Sequence, residues 1–271
     1  MTFKDIGPVV VIGAGKMGLA LARGWVAGGL AGSDMVLVDP QPGEAASAFA
    51  RQHGIRMLSS PLGVLTHVMV LAVKPQVMKQ VMAGIQPAVG AQTLVLSIAA
   101  GISLKALAAG LHTQRIVRAM PNTPAQVGKG ISGAVGLQIS ERDREVANTL
   151  LGAAGEVLWF DAESQLDAVT AVSGSGPAYV FYLVEALAIA GVRQGLEAGQ
   201  AMQLARQTVI GAAALMETDP QPASVLRENV TSPKGTTAAA LQVLMAPDGL
   251  ERLLDRAVMA ARLRSEELGR D

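Results

Sequence analysis

The chain has 271 residues, half of them hydrophobic but only 3% aromatic, so a sizeable core must be built from Ala, Val, Leu, Ile and Met. Its 22 basic and 22 acidic residues cancel, which argues against nucleic acid or an anionic membrane as the main partner. Cysteine is absent, which excludes disulfides and thiolate chemistry, and residues 1–7 lack the shape of a signal peptide, so a cytoplasmic protein is expected.

Residues 9–12, Val-Val-Val-Ile, read as a strand buried on both faces. Gly13-Ala14-Gly15-Lys16-Met17-Gly18 follows at once, and apolar residues then recur at helical spacing from Leu19. Strand, glycine turn and helix together are the setting in which Gly-x-Gly-x-x-Gly binds a dinucleotide. Gly13 allows the turn, Gly15 lets backbone approach a pyrophosphate, and Gly18 lets the helix pack closely on the strand. The N–H groups of the helix start, at Lys16 and Met17, then face the phosphates. The motif alone is weak, and an ordinary strand–helix turn is the alternative.

Residues 35–39 read as a second strand. Its last residue, Asp39, stands about 20 residues past the motif, where an acid accepts hydrogen bonds from an adenosine ribose and repels a 2′-phosphate. The plain alternative is an Asp39-Pro40 turn. A short amphipathic helix over 43–53 and a small strand over 55–58 follow. Residues 68–73 form another buried strand, ended by Lys74-Pro75. A helix over 76–85, a strand over 93–98, a turn at Ala99-Ala100-Gly101 and a Ser103-capped helix to 111 come next. A strand over 115–119 runs into Met120-Pro121-Asn122-Thr123-Pro124. This alternation predicts an α/β fold with a doubly wound, mainly parallel sheet and a ligand at the carboxyl ends of its strands.

The character changes after residue 161. Short strands over 133–138 and 157–160 flank a helix over 141–153; beyond them helices are predicted over 177–194, 197–216, 237–244 and 249–268. The longest apolar run, 178–192, is interrupted by Glu185 and reads as too short for a membrane span. Helices apolar all round need a larger core than they make alone. Intertwined helices from two subunits, forming an obligate homodimer, are therefore expected. The predicted domains are 1–161, which binds the dinucleotide, and 162–271, an all-helical dimerisation and substrate domain.

Four constellations could carry chemistry. Lys74 closes a strand at the ligand edge, with Ala72 and Val73 before it; a solvated lysine before a helix-starting proline is the alternative. Met120, Pro121 and Asn122 belong to a proline-stiffened loop that could wall a nicotinamide pocket or be merely structural. Ser173-Gly174-Ser175-Gly176-Pro177 reads as a helix start capped by Ser175, or as the lip of a substrate cleft. Ser232-Pro233-Lys234-Gly235-Thr236-Thr237 opens a helix with hydroxyls and backbone N–H groups, which suits a small carboxylate, and Thr237 could meet a substrate nitrogen. The three histidines sit in no motif, and no metal-ligand spacing or hydrolase elbow is present. A nicotinamide enzyme without an evident acid–base residue suits a substrate needing little proton help, such as a protonated imine.

Taken together, Val11-Ile12-Gly13-Ala14-Gly15-Lys16-Met17-Gly18, Ala72-Val73-Lys74-Pro75, Ser97-Ile98-Ala99-Ala100-Gly101 and Arg118-Ala119-Met120-Pro121-Asn122-Thr123-Pro124 resemble the pyrroline-5-carboxylate reductase family nearly end to end. The most specific blocks are Val172-Ser173-Gly174-Ser175-Gly176-Pro177-Ala178-Tyr179 and Val230-Thr231-Ser232-Pro233-Lys234-Gly235-Thr236-Thr237. The resemblance implies an N-terminal Rossmann domain, a C-terminal helical dimerisation domain, and reduction of 1-pyrroline-5-carboxylate to L-proline with NADPH or NADH. It implies a carboxylate cradle at Lys234, Gly235, Thr236 and Thr237, with Thr237 on the ring nitrogen and Ser232, together with Ser175 from a partner subunit, completing the pocket. Met120, Pro121 and Asn122 would border the nicotinamide, and Ala72, Val73 and Lys74 would run along the cofactor. Dimers of this family often assemble into pentamers of dimers. Two positions depart from the family pattern: Lys234 stands where glycine is usual, either crowding the loop or adding positive charge, and Asp39 replaces a small polar residue, which favours NADH being usable. A β-hydroxyacid dehydrogenase shares the layout but needs a lysine that is missing from the helix after Gly176. A nicotinamide-sensing regulator would need no second anion site.

Overall fold

The computed structural model describes residues 1–269. Its eight strands are β1 (Val9–Ile12), β2 (Met35–Val38), β3 (Arg56–Leu58), β4 (Val68–Leu71), β5 (Leu94–Ser97), β6 (Ile116–Met120), β7 (Gly130–Leu137) and β8 (Gly155–Trp159). They form one sheet in the order β3-β2-β1-β4-β5-β6-β7-β8. All pairings are parallel except β6–β7, where Ile116 faces Leu137 and Met120 faces Gly133. The chain order reverses between β1 and β4, so the crevice of a doubly wound sheet opens above that pair.

Helices α1 (Lys16–Ala27), α2 (Glu44–His53), α3 (Pro75–Ile85), α4 (Leu104–Leu111) and α5 (Glu141–Gly152) cover the sheet. The period-2 alternation of strand side chains divides the core in two. Val9 and Val11 pack with Leu21, Trp25, Phe49 and Leu150 on one face, while Val10 and Ile12 pack with Met78, Met82, Leu107 and Leu111 on the other. The continuous apolar runs follow from this double burial. Trp25 is fully buried and donates its indole N–H to the Leu150 carbonyl at 2.7 Å, joining α1 to α5. At the start of α5, Ser140 and Asp143 form a reciprocal capping box. Asp143 also takes the guanidinium of Arg115, just before β6, in a two-pronged pair. Burial alone would raise the Asp143 carboxyl, but hydrogen bonds from Arg115 and Ser140 outweigh it and hold it below the usual range.

The chain divides into two compact units: Met1–Ser175 with the chain from Ala261 on, and Gly176–Ala260. The first unit thus runs past residue 161, because α6 (Gln165–Val169) buries Leu166 against the α3–α4 side of the sheet. A π turn over Thr170–Gly174 follows α6, in which the Ser175 N–H reaches back five residues to the Thr170 carbonyl at 2.8 Å. Helix α7 (Gly176–Arg193) continues from it. Two sequence expectations are corrected here. Ser175 is helical (φ −86°, ψ −22°) and caps nothing, because the helix already runs through it. The reason lies in Pro177, which has no N–H for the carbonyl four residues back at Ser173; a π turn absorbs that loss without ending the helix. The apolar run also does not stop short. Residues Gln165–Arg193 form one helical stretch, long and apolar enough by length and composition to cross a membrane.

In the second unit, α7 pairs with α8 (Ala198–Thr218), followed by α9 (Ala223–Asn229), α10 (Thr236–Leu244) and the first part of α11 (Leu250–Leu268). Its buried core is only Ala188, Ala201 and Ala205, backed by Val184. Phe181, Tyr182, Ile189, Ile210 and Leu215 are each more than half exposed. Apolar surface on this scale marks an interaction face.

Candidate active site

Parallel pairing brings the predicted nucleotide residues to one edge. The Gly13 N–H donates to the Val38 carbonyl at 2.8 Å and the Ala72 N–H to the Ile12 carbonyl at 2.8 Å, so the ends of β2, β1 and β4 are laced together. Gly13 has φ +97°, in the region that favours glycine, and a Cβ there would strike Val73 at 2.8 Å. A Cβ on Gly18 would meet the Gly13 carbonyl at 2.5 Å, whereas one on Gly15 meets nothing within 4 Å. The glycines therefore serve closure at 13 and 18 and leave open space at 15. Gly15 is the N-cap of α1 and has no side chain to satisfy the helix's first N–H groups at Lys16, Met17 and Gly18. Bare N–H groups, the helix dipole and an open approach suit a diphosphate, so the turn fits a dinucleotide. Lys74 is the exposed N-cap of α3, with Pro75 at the first helical position.

Asp39 follows β2 at this edge. Its Oδ2 accepts the Ala14 N–H at 3.0 Å and its Oδ1 accepts the Gln41 N–H at 2.9 Å. The carboxylate is thus tied into the glycine turn itself, a link no local pattern announces. It is half-buried and keeps lone pairs for further donors.

Met120, Pro121 and Asn122 leave β6 at the same edge. Asn122 Oδ1 accepts the Ile131 N–H at 3.0 Å, which fixes the amide's orientation, and Nδ2 donates to Ser173 Oγ at 3.1 Å. The loop is thereby fastened both to β7 and to the π turn. Gly174 lies under Met120, whose Cε would be 2.7 Å from any Cβ there. Nearby, Glu163 Oε1 accepts the Leu104 N–H at 2.7 Å and pairs with Arg118, while Ser103 caps α4 through the Ala106 N–H. The Ser173 and Glu163 contacts were missed by sequence reasoning; only the Ser173–Pro177 spacing could have signalled the first. An open cavity of about 360 Å³ lined by Lys4, His67, Arg115 and Arg142 sits at the opposite, amino ends of β4 and β5 and contains none of these residues.

Ser232, Lys234, Gly235, Thr236 and Thr237 lie in the second unit. The Gly235 N–H returns to the Ser232 carbonyl at 3.0 Å, with proline at the second position and φ +62° at Lys234 in the third. These are the marks of a type II turn, whose third position favours glycine. Gly235, the N-cap of α10, has no capping side chain, and a Cβ there would sit 2.4 Å from Ser232 Oγ. Only glycine therefore lets the Ser232 hydroxyl lie over the helix start. Thr236 and Thr237, both exposed, occupy the first turn of α10.

Residues 163–268 match the family model described as pyrroline-5-carboxylate reductase dimerisation, and residues 8–101 match the one described as NADP oxidoreductase, coenzyme F420-dependent. The dimerisation match covers the whole of the helical stretch whose length alone would also suit a membrane. The chain is 43% identical over 265 residues to the pyrroline-5-carboxylate reductase of Pseudomonas aeruginosa, covering 96% of each. Among solved structures it resembles a pyrroline-5-carboxylate reductase from Coxiella burnetii, with TM-score 0.90 and 32% identity over 97% of this chain and 99% of that one. A pyrroline carboxylate reductase of Plasmodium falciparum with NADP bound is 29% identical, with TM-score 0.81 and coverage of 97% and 98%.

Proposed function

The chain belongs to the pyrroline-5-carboxylate reductase family, and on that premise we infer that it reduces 1-pyrroline-5-carboxylate to L-proline with NAD(P)H, closing proline biosynthesis. The observation that carries this reading is the full-length likeness to such reductases in a chain whose helix starts at Gly15 and Gly235, the two expected anion cradles, carry no capping side chain.

In our reading Gly13, Gly15, Lys16, Met17 and Gly18 hold the diphosphate, Asp39 receives the adenosine ribose, and Ala72, Val73 and Lys74 flank the cofactor. Met120, Pro121 and Asn122 border the nicotinamide. When bound, the reduced nicotinamide supplies the hydride. The chain's own task is to present the imine carbon at roughly 3–3.5 Å from the donor carbon. The backbone of Lys234, Gly235, Thr236 and Thr237 takes the substrate carboxylate, using the helix start as the anion cradle. The Thr237 hydroxyl hydrogen-bonds the ring nitrogen, orienting the ring and stabilising the product amine. A protonated imine already accepts hydride readily, so no strong acid is needed. Ser232 and, from the partner subunit, Ser175 complete the pocket.

The exposed apolar residues of α7 and α8 support a homodimer through the C-terminal helices. We place the dimers in a pentamer of dimers, in the cytoplasm, with no membrane or nucleic-acid partner, and with NADH used at least as well as NADPH because of Asp39. The test is NAD(P)H consumption with pyrroline-5-carboxylate, run beside a set of 3-hydroxy acids with NAD(P)⁺. Turnover only with the imine supports the reading; turnover only with hydroxy acids, or binding without turnover, rejects it.

A further inference from the structure

We propose that Ser173 is a positioning residue for hydride transfer, acting through Asn122. The inference rests on the nicotinamide-border role given above to Met120–Asn122. The π turn over Thr170–Gly174 is the starting point. Such turns are rare, persist only where the surroundings hold them, and cluster at functional sites. Here the turn adds one residue to the helical round, closed by the Ser175-to-Thr170 bond at 2.8 Å. The side chain that this turn presents to the loop after β6 is Ser173. Its Oγ accepts the Asn122 amide at 3.1 Å.

Asn122 has its other end committed as well, because Oδ1 holds the Ile131 N–H at 3.0 Å. The amide is therefore a rigid strut between β7 and the π turn. Removing Ser173 Oγ frees one end of that strut. Gly174, next in the turn, supplies the floor on which the Met120 methyl rests. Two successive residues of the π turn thus set the height of the Met120–Asn122 segment. Ser173 itself is not assigned a contact with substrate or cofactor.

The experiment uses the full-length enzyme and the variants Ser173→Ala, Asn122→Ala and the double variant, with Ser173→Thr as the conservative control. Three readouts are taken: NADH dissociation from nicotinamide fluorescence, AMP dissociation, and the split between kcat and KM. Loss of one neutral hydrogen bond predicts that S173A weakens NADH binding and lowers kcat by about three- to tenfold. AMP affinity and the KM for pyrroline-5-carboxylate should stay within about twofold of wild type, and S173T should recover most of the loss. The double variant should be no worse than N122A alone, since both act on one strut. Unchanged fluorescence and kcat in S173A would overturn the proposal, as would an equal loss of AMP and NADH binding or additive losses in the double variant. The NADH and AMP arms need no imine substrate, so failure of this proposal is distinguishable from failure of the reductase reading.

Discussion

The Asp39 carboxylate accepts the Ala14 N–H at 3.0 Å, so the residue that follows β2 is bonded to the glycine turn that follows β1. In the cofactor pose we propose, a negative charge held there stands where a 2′-phosphate would arrive. We expect wild-type kcat/KM with NADH to equal or exceed that with NADPH. Asp39→Ser should shift the NADPH-to-NADH ratio upward by about tenfold or more, by removing like-charge repulsion. It should also raise KM for both cofactors, because the turn loses its tie at Ala14. Steady-state kinetics with both cofactors check this, and a strong NADPH preference in the wild type refutes it.

Thr237 stands in the first turn of α10, beside the bare N-cap Gly235. Thr237→Ala should lower kcat/KM for pyrroline-5-carboxylate by about ten- to a thousandfold, the cost of one to a few hydrogen bonds to the reacting ring. NADH affinity should be unmoved. An unaltered rate removes Thr237 from the mechanism.

Lys234 holds φ +62° in a turn that favours glycine at that position. An L-residue there costs about 1–2 kcal/mol in backbone strain, partly offset by the freedom glycine gains in the unfolded chain. Lys234→Gly should therefore stabilise the protein by up to about 1 kcal/mol, read as a rise in thermal midpoint of a few degrees. A lower midpoint would mean that the lysine side chain makes a stabilising contact.

Asp143 serves both the α5 capping box and the Arg115 pair, and its side chain is only 3% exposed. Asp143→Asn should destabilise the fold by about 2–3 kcal/mol near neutral pH. Because the folded carboxyl is held below its usual value, its contribution is fully present above the unfolded value of about 4. It is lost as pH falls through the lower folded value. Urea melts of the two proteins should differ by a constant amount from pH 8 to about pH 5 and converge in stronger acid. A gap that widens in acid would contradict this.

The nucleotide half was legible because its signals are local. Val9–Ile12 could be read as a doubly buried strand, and the glycines after it have one steric use each. Strand β7 was legible only in part, since Gly133 and Gly136 break its apolar pattern and its start at Gly130 carries no signal. The polar segment Ala223–Asn229 gave no apolar period and its helix went unread. The long-range ties were out of reach: Asn122 finds Ser173 across 51 residues and Trp25 finds Leu150 across 125. The π turn hid because it leaves the apolar period nearly intact; only the missing N–H of Pro177 betrays it. The turn at Ser232–Gly235 could be read as a helix start, but its positive φ at Lys234 could not.

The most direct test of the central claim follows the transferred atom. With nicotinamide deuterated at the transferable C4 position and 1-pyrroline-5-carboxylate as substrate, the account predicts L-proline carrying one deuterium on the ring carbon beside nitrogen, opposite the carboxyl-bearing carbon. Proline without deuterium, or consumption of the reduced cofactor with no proline formed, would contradict it.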